Sequence, residues 1–338
     1  MNILVTGGAG YVGSVLLPEL VKDGHHVKCL DRFFFGDEYL SQRQFNGKIE
    51  LIKNDIRWVE PEIMKDIDIV MDLAALSNDP VGALDPEKTY QINHMGRARV
   101  AKLCKDMGVK KYILASSASV YGQQDNMVNE ESKVNPITDY SKANRKAEQD
   151  ALKLNHNDFC VTVLRFSSVY GVSPRMRFDI SVNSMVLDLF KSQLIVVRGK
   201  NNNRPFIHIK DAVRSYQKVI EAPLEIISGQ IFNVGSDEQN YKMGEIAENI
   251  IKTIGIECKL ELGDTNDHRS YVTSFKKIKD SLGFDPHFSL SDGVKEMYEA
   301  LSTKQLDDNI KTITLEWYKH ILEADKLIKE VSINQRIF

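Results

Sequence analysis

The chain has 338 residues, enough for about two domains or one large one. Hydrophobic residues make up 42% of the chain and charged residues 27%, which excludes a disordered or low-complexity protein. Lys and Arg total 44 against 47 Asp and Glu. This balance predicts no nucleic-acid partner and no membrane-surface partner.

The N-terminus lacks a basic segment followed by a long apolar one, and no apolar run reaches about 18 residues. We therefore predict no signal peptide and no membrane span, and a cytoplasmic location. No His, Cys and carboxylate cluster has the spacing of metal ligands, so we predict no metal site. The cysteines are far apart in mostly apolar surroundings, which predicts buried free thiols at Cys29, Cys104, Cys160 and Cys258.

Strands and helices alternate through the first half of the chain. Short apolar runs predict strands over Asn2–Thr6 and over residues 27–30, 50–53, 67–73, 111–116 and 161–166. Helical spacing predicts helices over residues 12–22, 93–107 and 140–154. This alternation is typical of βαβ units and a parallel sheet, and the uniformly apolar strands indicate that helices cover both of its faces.

After Gly171 the pattern is less regular. Helices are predicted over residues 181–191, 211–222 and 243–253, and strands over residues 231–234 and 258–262. Residues 305–330 are predicted to form a helix that covers the core or, as an alternative, contacts a second copy of the chain. Its apolar positions at helical spacing are Ile310, Thr314, Trp317, Ile321, Ala324 and Ile328.

A glycine-rich loop lies between the first predicted strand and the first predicted helix. Gly7 permits a tight turn, Gly10 lets the backbone approach a pyrophosphate, and Gly13 lets the helix pack close to the sheet. The helix N-terminus adds free N–H groups and a positive dipole for the phosphates. Asp31, at the end of the second strand, can accept hydrogen bonds from a ribose and would repel a 2′-phosphate, although Arg32 could receive one. The loop and the acid predict NAD binding in preference to NADP.

Further motifs extend along nearly the whole chain. Residues 6–13 are TGGAGYVG, residues 116–122 are SSASVYG, residues 204–211 are RPFIHIKD and residues 232–235 are FNVG, while Glu148 lies eight residues after Tyr140. These motifs resemble the extended short-chain dehydrogenases/reductases, in the group of nucleotide-sugar epimerases and dehydratases. The resemblance implies an α/β fold. A Rossmann doubly wound parallel sheet is expected over residues 1–170, with the chain crossing back within about 205–235, and a smaller C-terminal substrate domain over residues 171–338.

The resemblance also implies roles for individual residues. Tyr140 would be the base that takes a proton from a sugar hydroxyl as hydride leaves, and Ser117 would hydrogen-bond the reacting oxygen. Contacts with NAD are implied for Gly7, Gly10, Tyr11, Val12, Gly13, Asp31, Arg32, Asp55, Ile56, Leu73, Ala74, Ala75, Asn93, Ser116, Tyr140 and Asn144. Contacts with a nucleotide-activated sugar are implied for Ser77, Ser117, Ser168, Arg175, Arg177, Asn183, Arg204 and Arg269.

One position departs from the family pattern. The family has a lysine four residues after the tyrosine, on the same helix face, and this chain has Asn144 there. The family lysine lowers the pKa of the tyrosine and binds the nicotinamide ribose, whereas Asn144 brings no charge. Lys142 and Lys146 point away from Tyr140 at about 100° per residue. The sequence therefore leaves open an enzyme with slowed chemistry, or a protein that binds NAD and a nucleotide sugar with little turnover.

The residues after Ser117 bear on the type of reaction. Family 4,6-dehydratases typically have Asp-Glu there, and this chain has Ala118-Ser119, which disfavours dehydration. We predict an NAD-dependent nucleotide-sugar epimerase that oxidises a sugar hydroxyl, at C4, to a transient keto sugar and reduces it again. The alternative is a 4-dehydrogenase that releases the keto sugar, because residues 173–183 resemble a subgroup that includes 4-dehydrogenases of nucleotide-activated heptoses.

The family resemblance also implies a homodimer. The predicted helices 93–107 and 140–154 would pair with their copies in a four-helix interface. Part of the required surface would come from apolar side chains, of which some must face the sheet: Ala101, Leu103, Ala147, Ala151 and Leu154.

Overall fold

A computed structural model describes residues 1–40, 45, 47–265, 267, 269–333 and 336. Its strands are β1 (Asn2–Thr6), β2 (His26–Asp31), β3 (Ile49–Lys53), β4 (Ile69–Asp72), β5 (Lys111–Ser117), β6 (Cys160–Phe166), β7 (Ser168–Tyr170), β8 (Leu194–Arg198), β9 (Asn203–His208), β10 (Gln230–Val234), β11 (Asn240–Lys242) and β12 (Lys259–Gly263). Its helices are α1 (Gly13–Lys22), α2 (Asp79–Gly82), α3 (Pro86–Tyr90), α4 (Arg97–Asp106), α5 (Asp139–Lys153), α6 (Ser181–Ser192), α7 (Ile209–Glu221), α8 (Leu224–Ile227), α9 (Met243–Ile254), α10 (Lys276–Leu282), α11 (Leu290–Ser302) and α12 (Thr314–Val331). A π-helical segment, Gln91–Gly96, joins α3 to α4.

Seven strands form one parallel sheet in the order β10-β6-β5-β4-β1-β2-β3. The chain runs outward from β1 to β3 and then returns to the other side of β1 with β4. This reversal is the topological switch point of a doubly wound sheet, and ligands bind there at the carboxyl ends of the strands. The predicted Rossmann α/β fold is confirmed.

Apolar clusters cover both faces of this sheet. One cluster includes side chains of α1 and α7, such as Leu16 and Tyr216, and the other includes side chains of α4 and α5. In the second cluster Ala101, Ala147 and Ala151 are buried within the chain itself. These three alanines therefore face the sheet and cannot supply the surface of a four-helix dimer. Leu103 and Leu154 are partly buried against the same cluster, and the dimer stays a prediction.

The second half of the chain builds a smaller unit around a separate apolar cluster, to which α6, α9 and α11 contribute. It contains the three-stranded sheet β11-β9-β7 and the two-stranded sheet β12-β8. Strand β10 lies beside β6 at the edge of the large sheet, so residues beyond 170 contribute to both parts of the molecule. The exact boundary between the two predicted domains stays a prediction.

The C-terminal helix differs from its prediction. It begins at Thr314 rather than at residue 305, and Thr314 is the one buried residue of α12, all of which the structure describes. The Trp317 indole N–H donates to the carbonyl oxygen of Phe34 at 2.6 Å, and the Tyr318 ring packs against Phe34 and Phe35. Leu306 and Ile313, which precede α12 in the predicted segment, pack against the apolar cluster of the smaller unit, whereas α12 itself packs on these two phenylalanines after β2. The predicted covering of the core is therefore confirmed only before α12, and the contact with a second copy stays a prediction.

Three further sequence predictions concern cysteines, metals and membranes. Cys29, Cys104 and Cys160 are buried, as predicted, whereas Cys258 is partly exposed. In the part of the chain that the structure describes, no group of three or more His, Cys, Asp and Glu side chains is arranged to hold a metal ion. No helix of these residues combines the length and apolarity needed to cross a bilayer.

Candidate active site

A cleft of about 800 Å³ opens at the carboxyl ends of the parallel strands. Its walls come from the loops after β1 to β4, from the ends of β5 and β6, from the N-terminal part of α5 and from α12. The smaller unit contributes β7, β9 and the loop before α6. The predicted cofactor and substrate residues can therefore be located relative to one cleft.

The glycine loop after β1 forms one wall of the cleft. Gly7 has a positive φ of 68°, and a Cβ there would lie 2.7 Å from the backbone of Ala74. A Cβ on Gly13 would lie 2.4 Å from the carbonyl oxygen of Gly8. At Gly10 the contact within 4 Å is with the loop itself, so its outer side is open to a ligand. No side chain of the described residues caps α1, and Gly13, its first residue, lines the cleft, so the positive end of the helix dipole is directed at a ligand there.

Asp31 lies at the end of β2 in this cleft. Its two carboxylate oxygens accept hydrogen bonds from the backbone N–H groups of Ala9 at 3.0 Å and Phe33 at 2.8 Å. Burial raises the pKa of Asp31, and these two hydrogen bonds oppose that shift. The neighbouring Arg32 donates from Nη1 to Asp55 Oδ2 at 2.8 Å. Because Arg32 is paired in this way, the arrangement favours a ribose over a 2′-phosphate beside Asp31.

Asp55 and Ile56 lie at the outer end of the same wall. The Asp55 carboxylate accepts hydrogen bonds from the Arg57 guanidinium at 2.8 and 3.0 Å as well as from Arg32. Burial alone would raise the pKa of Asp55, but the hydrogen bonds from Arg57 and Arg32 lower it to about 2. Asp55 is thus a fixed anion that orders the two arginines, and Ile56 adds apolar surface to the cleft.

The loop after β4 forms the floor and contains Leu73, Ala74 and Ala75. Asn93 lies behind this loop and is fully buried. Its amide accepts a hydrogen bond from the Leu76 N–H at 2.8 Å and donates to the Leu76 carbonyl oxygen at 2.9 Å. Asn93 thus supports the floor of the cleft by holding this loop, and its contact with NAD stays a prediction.

Tyr11 and Asn183 join the glycine loop to the smaller unit. The Tyr11 hydroxyl donates to the Gly171 carbonyl oxygen at 2.6 Å and accepts from Asn183 Nδ2 at 3.1 Å. Asn183 also accepts from the Gly171 N–H and donates to the Arg177 carbonyl oxygen, and it is fully buried. The Asn183 amide is therefore hydrogen-bonded within the chain, and its diphosphate contact stays a prediction. Tyr11 and Val12 line the cleft, but the Tyr11 hydroxyl is turned away from it.

Tyr140 lies in the first turn of α5, at the centre of the cleft. Thr138 caps this helix by accepting from the Ser141 N–H at 3.2 Å. Burial and the negative charge of Asp79 raise the pKa of Tyr140 above its ordinary value, although the Arg97 charge and hydrogen bonds from Ser117 and Asn144 oppose that rise. The structure thus brings together the three residues that the sequence assigned to the chemistry.

Ser117, Ser116 and Glu148 connect the catalytic segment to α5. Ser117 ends β5, and its Oγ accepts from the Ser119 N–H at 3.1 Å. Ser116 lines the cleft and donates to Glu148 Oε1 at 2.6 Å. Glu148 is fully buried and also binds Arg165 through both oxygens, at 2.9 and 2.8 Å. This ion pair fixes α5, and with it Tyr140, against β5 and β6.

Asn144 has a partner that the sequence analysis did not identify. Its Nδ2 donates to the Tyr140 carbonyl oxygen at 3.0 Å, and its Oδ1 accepts from Arg97 Nη1 at 2.9 Å. Arg97 is 1% exposed and lines the cleft. The sequence could have indicated Arg97, because it lies four residues after Asn93 and therefore on the face of the predicted helix already assigned to the site.

Arg175 and Arg177 lie at different places in the cleft. Arg177 binds Asp179 through Nε and Nη2, both at 2.9 Å, and donates to Ser77 Oγ at 2.9 Å. The Arg175 guanidinium lies 3.6 Å from the centre of the Phe35 ring and donates to Thr314 Oγ1 at 2.9 Å. Arg175 thus lies at the dinucleotide end, between the loop after β2 and α12, rather than at the predicted substrate end. Burial, together with the charge of Arg177, lowers the pKa of Arg175 to about 10.

The opposite end of the cleft contains Arg204 and Arg269. Arg269 binds Asp267 at 2.8 and 2.5 Å and also binds Asp79. Arg204 donates to the backbone carbonyl oxygens of Asn203, at 2.9 Å, and of Arg269. The two guanidinium groups therefore converge on one place, as the predicted diphosphate contacts require. Ser168, at the start of β7, also lines the cleft.

The predicted cofactor can be tested against the unpaired polar atoms of this structure. Buried polar groups are normally hydrogen-bonded. In the described residues, all but one of the side chains with a buried, unpaired polar atom line the cleft, the exception being Thr273. Those in the cleft are Arg97, Ser119, Ser167, Arg175 and Tyr216. Apart from Arg97, whose Nε faces Asp72, these side chains, the open side of Gly10 and the uncapped α1 fit a polar ligand that carries phosphates, as NAD does.

Comparison with protein families agrees with this assignment. Residues 3–235 match the NAD dependent epimerase/dehydratase family. The match confirms the resemblance seen in the sequence, and it confirms NAD as the cofactor.

Individual relatives are moderately similar. UDP-glucuronic acid decarboxylase 1 of Arabidopsis thaliana is 29% identical over 322 residues, covering 91% of this chain and 72% of that protein. UDP-glucose 4-epimerase of Lactobacillus helveticus is 27% identical over 321 residues, covering 87% of this chain and 94% of that protein. The crystal structure of the UDP-glucuronic acid 4-epimerase of Bacillus cereus, with UDP-glucuronic acid and NAD, superposes with a TM-score of 0.82 at 25% identity, covering 90% of this chain and 100% of that one.

Proposed function

Because the chain belongs to the NAD dependent epimerase/dehydratase family, we propose that it is a nucleotide-sugar 4-epimerase. It oxidises the C4 hydroxyl of the sugar to a ketone and reduces that ketone from the opposite face. The observation that carries the proposal is the meeting of Tyr140, Ser117 and Asn144 between the dinucleotide end of the cleft and its arginine end. Relatives named for 4-epimerisation of UDP sugars support the choice of carbon.

The chain supplies binding and proton transfer. The glycine loop and the N-terminal end of α1 would hold the pyrophosphate, and Asp31 would accept hydrogen bonds from the ribose. NAD, when bound, would accept the hydride that leaves C4 of the sugar. Tyr140 takes the hydroxyl proton as the hydride departs and gives it back when the hydride returns, so protons and electrons balance over one turnover. Ser117 hydrogen-bonds the reacting oxygen throughout.

The carboxylates of the cleft support redox chemistry without dehydration. Eliminating water would need a carboxylic acid that is protonated near neutral pH. Hydrogen bonds and nearby Arg or Lys charges lower the pKa values of the carboxyls of Asp55, Asp85, Asp179 and Asp267, and Asp79 is paired with Arg269. Asp31 lies at the dinucleotide end, and none of the described residues that line the cleft is a glutamate.

The arginine end suits the diphosphate of the substrate. A guanidinium offers a planar fork of N–H donors that matches phosphate oxygens in pairs. Arg269 is now held by Asp267 and Asp79, and Arg204 lies beside it. A diphosphate at this place would set the sugar towards Tyr140 and towards Ser77, which Arg177 holds.

The test uses nucleotide sugars that carry deuterium at C4. The purified protein with NAD is incubated with UDP-glucose, UDP-glucuronic acid and a nucleotide-activated heptose, and the products are followed by NMR, with Tyr140→Phe as the control. We expect one of them to give its C4 epimer with the label retained at C4. A keto sugar released together with one equivalent of NADH would establish the dehydrogenase instead. Binding by calorimetry without turnover of any of the three would favour the binding protein.

A further inference from the structure

Arg97 occupies the floor of the cleft at the first position of α4. Its Nη2 donates to the carbonyl oxygens of Asp72, at 2.8 Å, and of Ala115, so it bridges β4 and β5 where the cleft opens. Its Nη1 donates to Asn144 Oδ1 at 2.9 Å. The guanidinium is thus placed one amide group away from the backbone of Tyr140.

The guanidinium keeps its charge, because arginine does not lose its proton in proteins. Its Nε lies 3.6 Å from Asp72 Oδ2 and has no hydrogen-bond partner among the described residues. Asp72 also accepts hydrogen bonds from Thr6 and Tyr112. The Nε edge of Arg97 therefore faces Asp72, and the Nη1 edge faces Asn144 and the turn of α5 that carries Tyr140.

We propose that Arg97 supplies the positive charge that favours the Tyr140 phenolate, and that Asn144 is the neutral spacer that holds this charge in place. Arg97 acts through Asn144, so it is a positioning residue rather than a catalytic one. The inference rests on the proposed role of Tyr140 as the base. It replaces the expectation, drawn from Asn144 alone, that the base has no cation near it.

The geometry also explains why position 144 is an asparagine. Asn144 accepts from Arg97 with its oxygen and donates to the Tyr140 carbonyl oxygen with its nitrogen. A lysine ammonium at the same place would meet the guanidinium, and two like charges in a buried site disfavour each other. Arg97 and a lysine at position 144 are therefore alternatives.

Other groups also act on Tyr140. Burial raises its pKa most, and Asp79 of α2 raises it further, while the Arg97 charge and the hydrogen bonds from Ser117 and Asn144 lower it. Two further side chains are near enough for the Tyr140 phenolate to act on them: its negative charge raises the pKa of Arg177, from the loop before α6, and the pKa of Tyr271. Burial and Asp79 prevail, so the pKa of Tyr140 lies above its usual range and Arg97 limits that rise.

The experiment moves the charge between two positions. Arg97→Gln keeps N–H donors but removes the charge, Arg97→Lys keeps the charge, and the double variant Arg97→Gln with Asn144→Lys restores a cation on α5. Arg99→Met is the matched control, since Arg99 lies on the same helix and donates to the Val59 carbonyl oxygen at 2.9 Å, away from Tyr140. The pKa of Tyr140 is measured without substrate, as the ultraviolet titration difference between each protein and its Tyr140→Phe counterpart.

We expect Arg97→Gln to raise the Tyr140 pKa by about one unit or more. Arg97→Lys should raise it less, the double variant should return it towards the parent value, and Arg99→Met should leave it unchanged. The alkaline rise of hydride transfer, followed as NADH absorbance on an accepted sugar, should shift in the same order. Asn144→Lys alone should melt at a lower temperature than the double variant, because it places the new ammonium group beside the Arg97 guanidinium and the two positive charges repel each other.

The proposal is overturned if folded Arg97→Gln titrates Tyr140 like Arg99→Met. It is also overturned if the double variant folds and keeps the raised pKa of Arg97→Gln. If Arg97→Gln does not fold, a double variant that folds with a Tyr140 pKa far above that of Arg97→Lys refutes it. Since the titration needs no substrate, failure to turn over any sugar would reject the proposed function and leave this measurement intact.

Discussion

Replacing Asp31 with alanine tests how the cleft holds NAD. The carboxylate is fixed at the end of β2 by the N–H groups of Ala9 and Phe33, at 3.0 and 2.8 Å. Each carboxylate oxygen has a further lone pair, and these can accept the two ribose hydroxyls. The alanine variant removes both acceptors and the negative charge without changing the glycine loop itself.

The size of the effect follows from the kind of hydrogen bond. Hydrogen bonds to a charged group contribute about 1.5–3 kcal/mol each, and some of this is recovered when water solvates the ribose in the variant. We expect a net loss of about 1–3 kcal/mol, or about 5- to 150-fold weaker NAD binding. NADP should lose less, because the variant no longer repels a 2′-phosphate. Burial also raises the pKa of Asp31. As the pH falls, the parent protein should therefore begin to lose NAD affinity at a higher pH than the ordinary aspartate pKa.

Calorimetry on protein freed of bound nucleotide measures both cofactors. Asp23→Ala is the control, because Asp23 lies at the far end of α1 and accepts from Gln217 Nε2 at 2.6 Å on the surface. An Asp31→Ala protein that binds NAD as tightly as the parent and the control would refute the reasoning. Tighter binding of NADP than of NAD by the parent would refute it as well.

Three further predictions follow from the same geometry. Tyr140→Phe should abolish hydride transfer, measured as NADH absorbance in a single turnover, yet leave NAD affinity nearly unchanged because only a hydroxyl is lost; a parent-like rate would place the base elsewhere. Glu148→Gln should lower the free energy of unfolding in urea by about 3–5 kcal/mol, because Arg165 stays buried without its counter-charge. Hydrogen bonds and the Arg165 charge outweigh burial and lower the pKa of Glu148, so its contribution is present above about pH 4.3 and the difference from the parent should narrow as the pH falls below that value. Deleting α12 and the residues after it should change the melting temperature little but weaken NAD binding, since Thr314 is its one buried residue in the described chain while Tyr318 lines the cleft; unchanged NAD affinity would contradict this placement.

The large sheet was predictable because its local and tertiary signals agree. Strands buried on both faces are continuous apolar runs, and β1 was predicted at the bounds observed, Asn2–Thr6. Helix α5 was predicted over 140–154 and is found at Asp139–Lys153. Strands β7, β8, β9 and β11 were not predicted. The first, third and fourth of them are defined by their pairing with one another, and β8 by its pairing with β12.

The parts of the site that could be predicted are those formed by residues close together in the sequence. The glycine loop and the Tyr140 turn of α5 lie in the cleft because a strand end or a helix start carries them there. The polar residues before and within α6 carried no such constraint. The Asn183 amide is hydrogen-bonded to Tyr11 and Gly171, and the Arg175 guanidinium lies over the Phe35 ring and donates to α12. Both arrangements depend on contacts with residues that are distant in the chain.

Asn144 considered without its neighbours in the fold gives an incomplete account of the charge near Tyr140. In the sequence it is the loss of a cation from α5, but the fold brings in Arg97, which lies 47 residues earlier and enters from α4. A π-helical segment precedes Arg97, and such segments change which side chains a helix directs to one face. The charge beside Tyr140 is therefore a property of positions 97 and 144 together. The proposal therefore predicts that a lysine at 144 is best accommodated with a neutral residue at 97, and that an arginine at 97 is best accommodated with a neutral acceptor at 144, which asparagine provides.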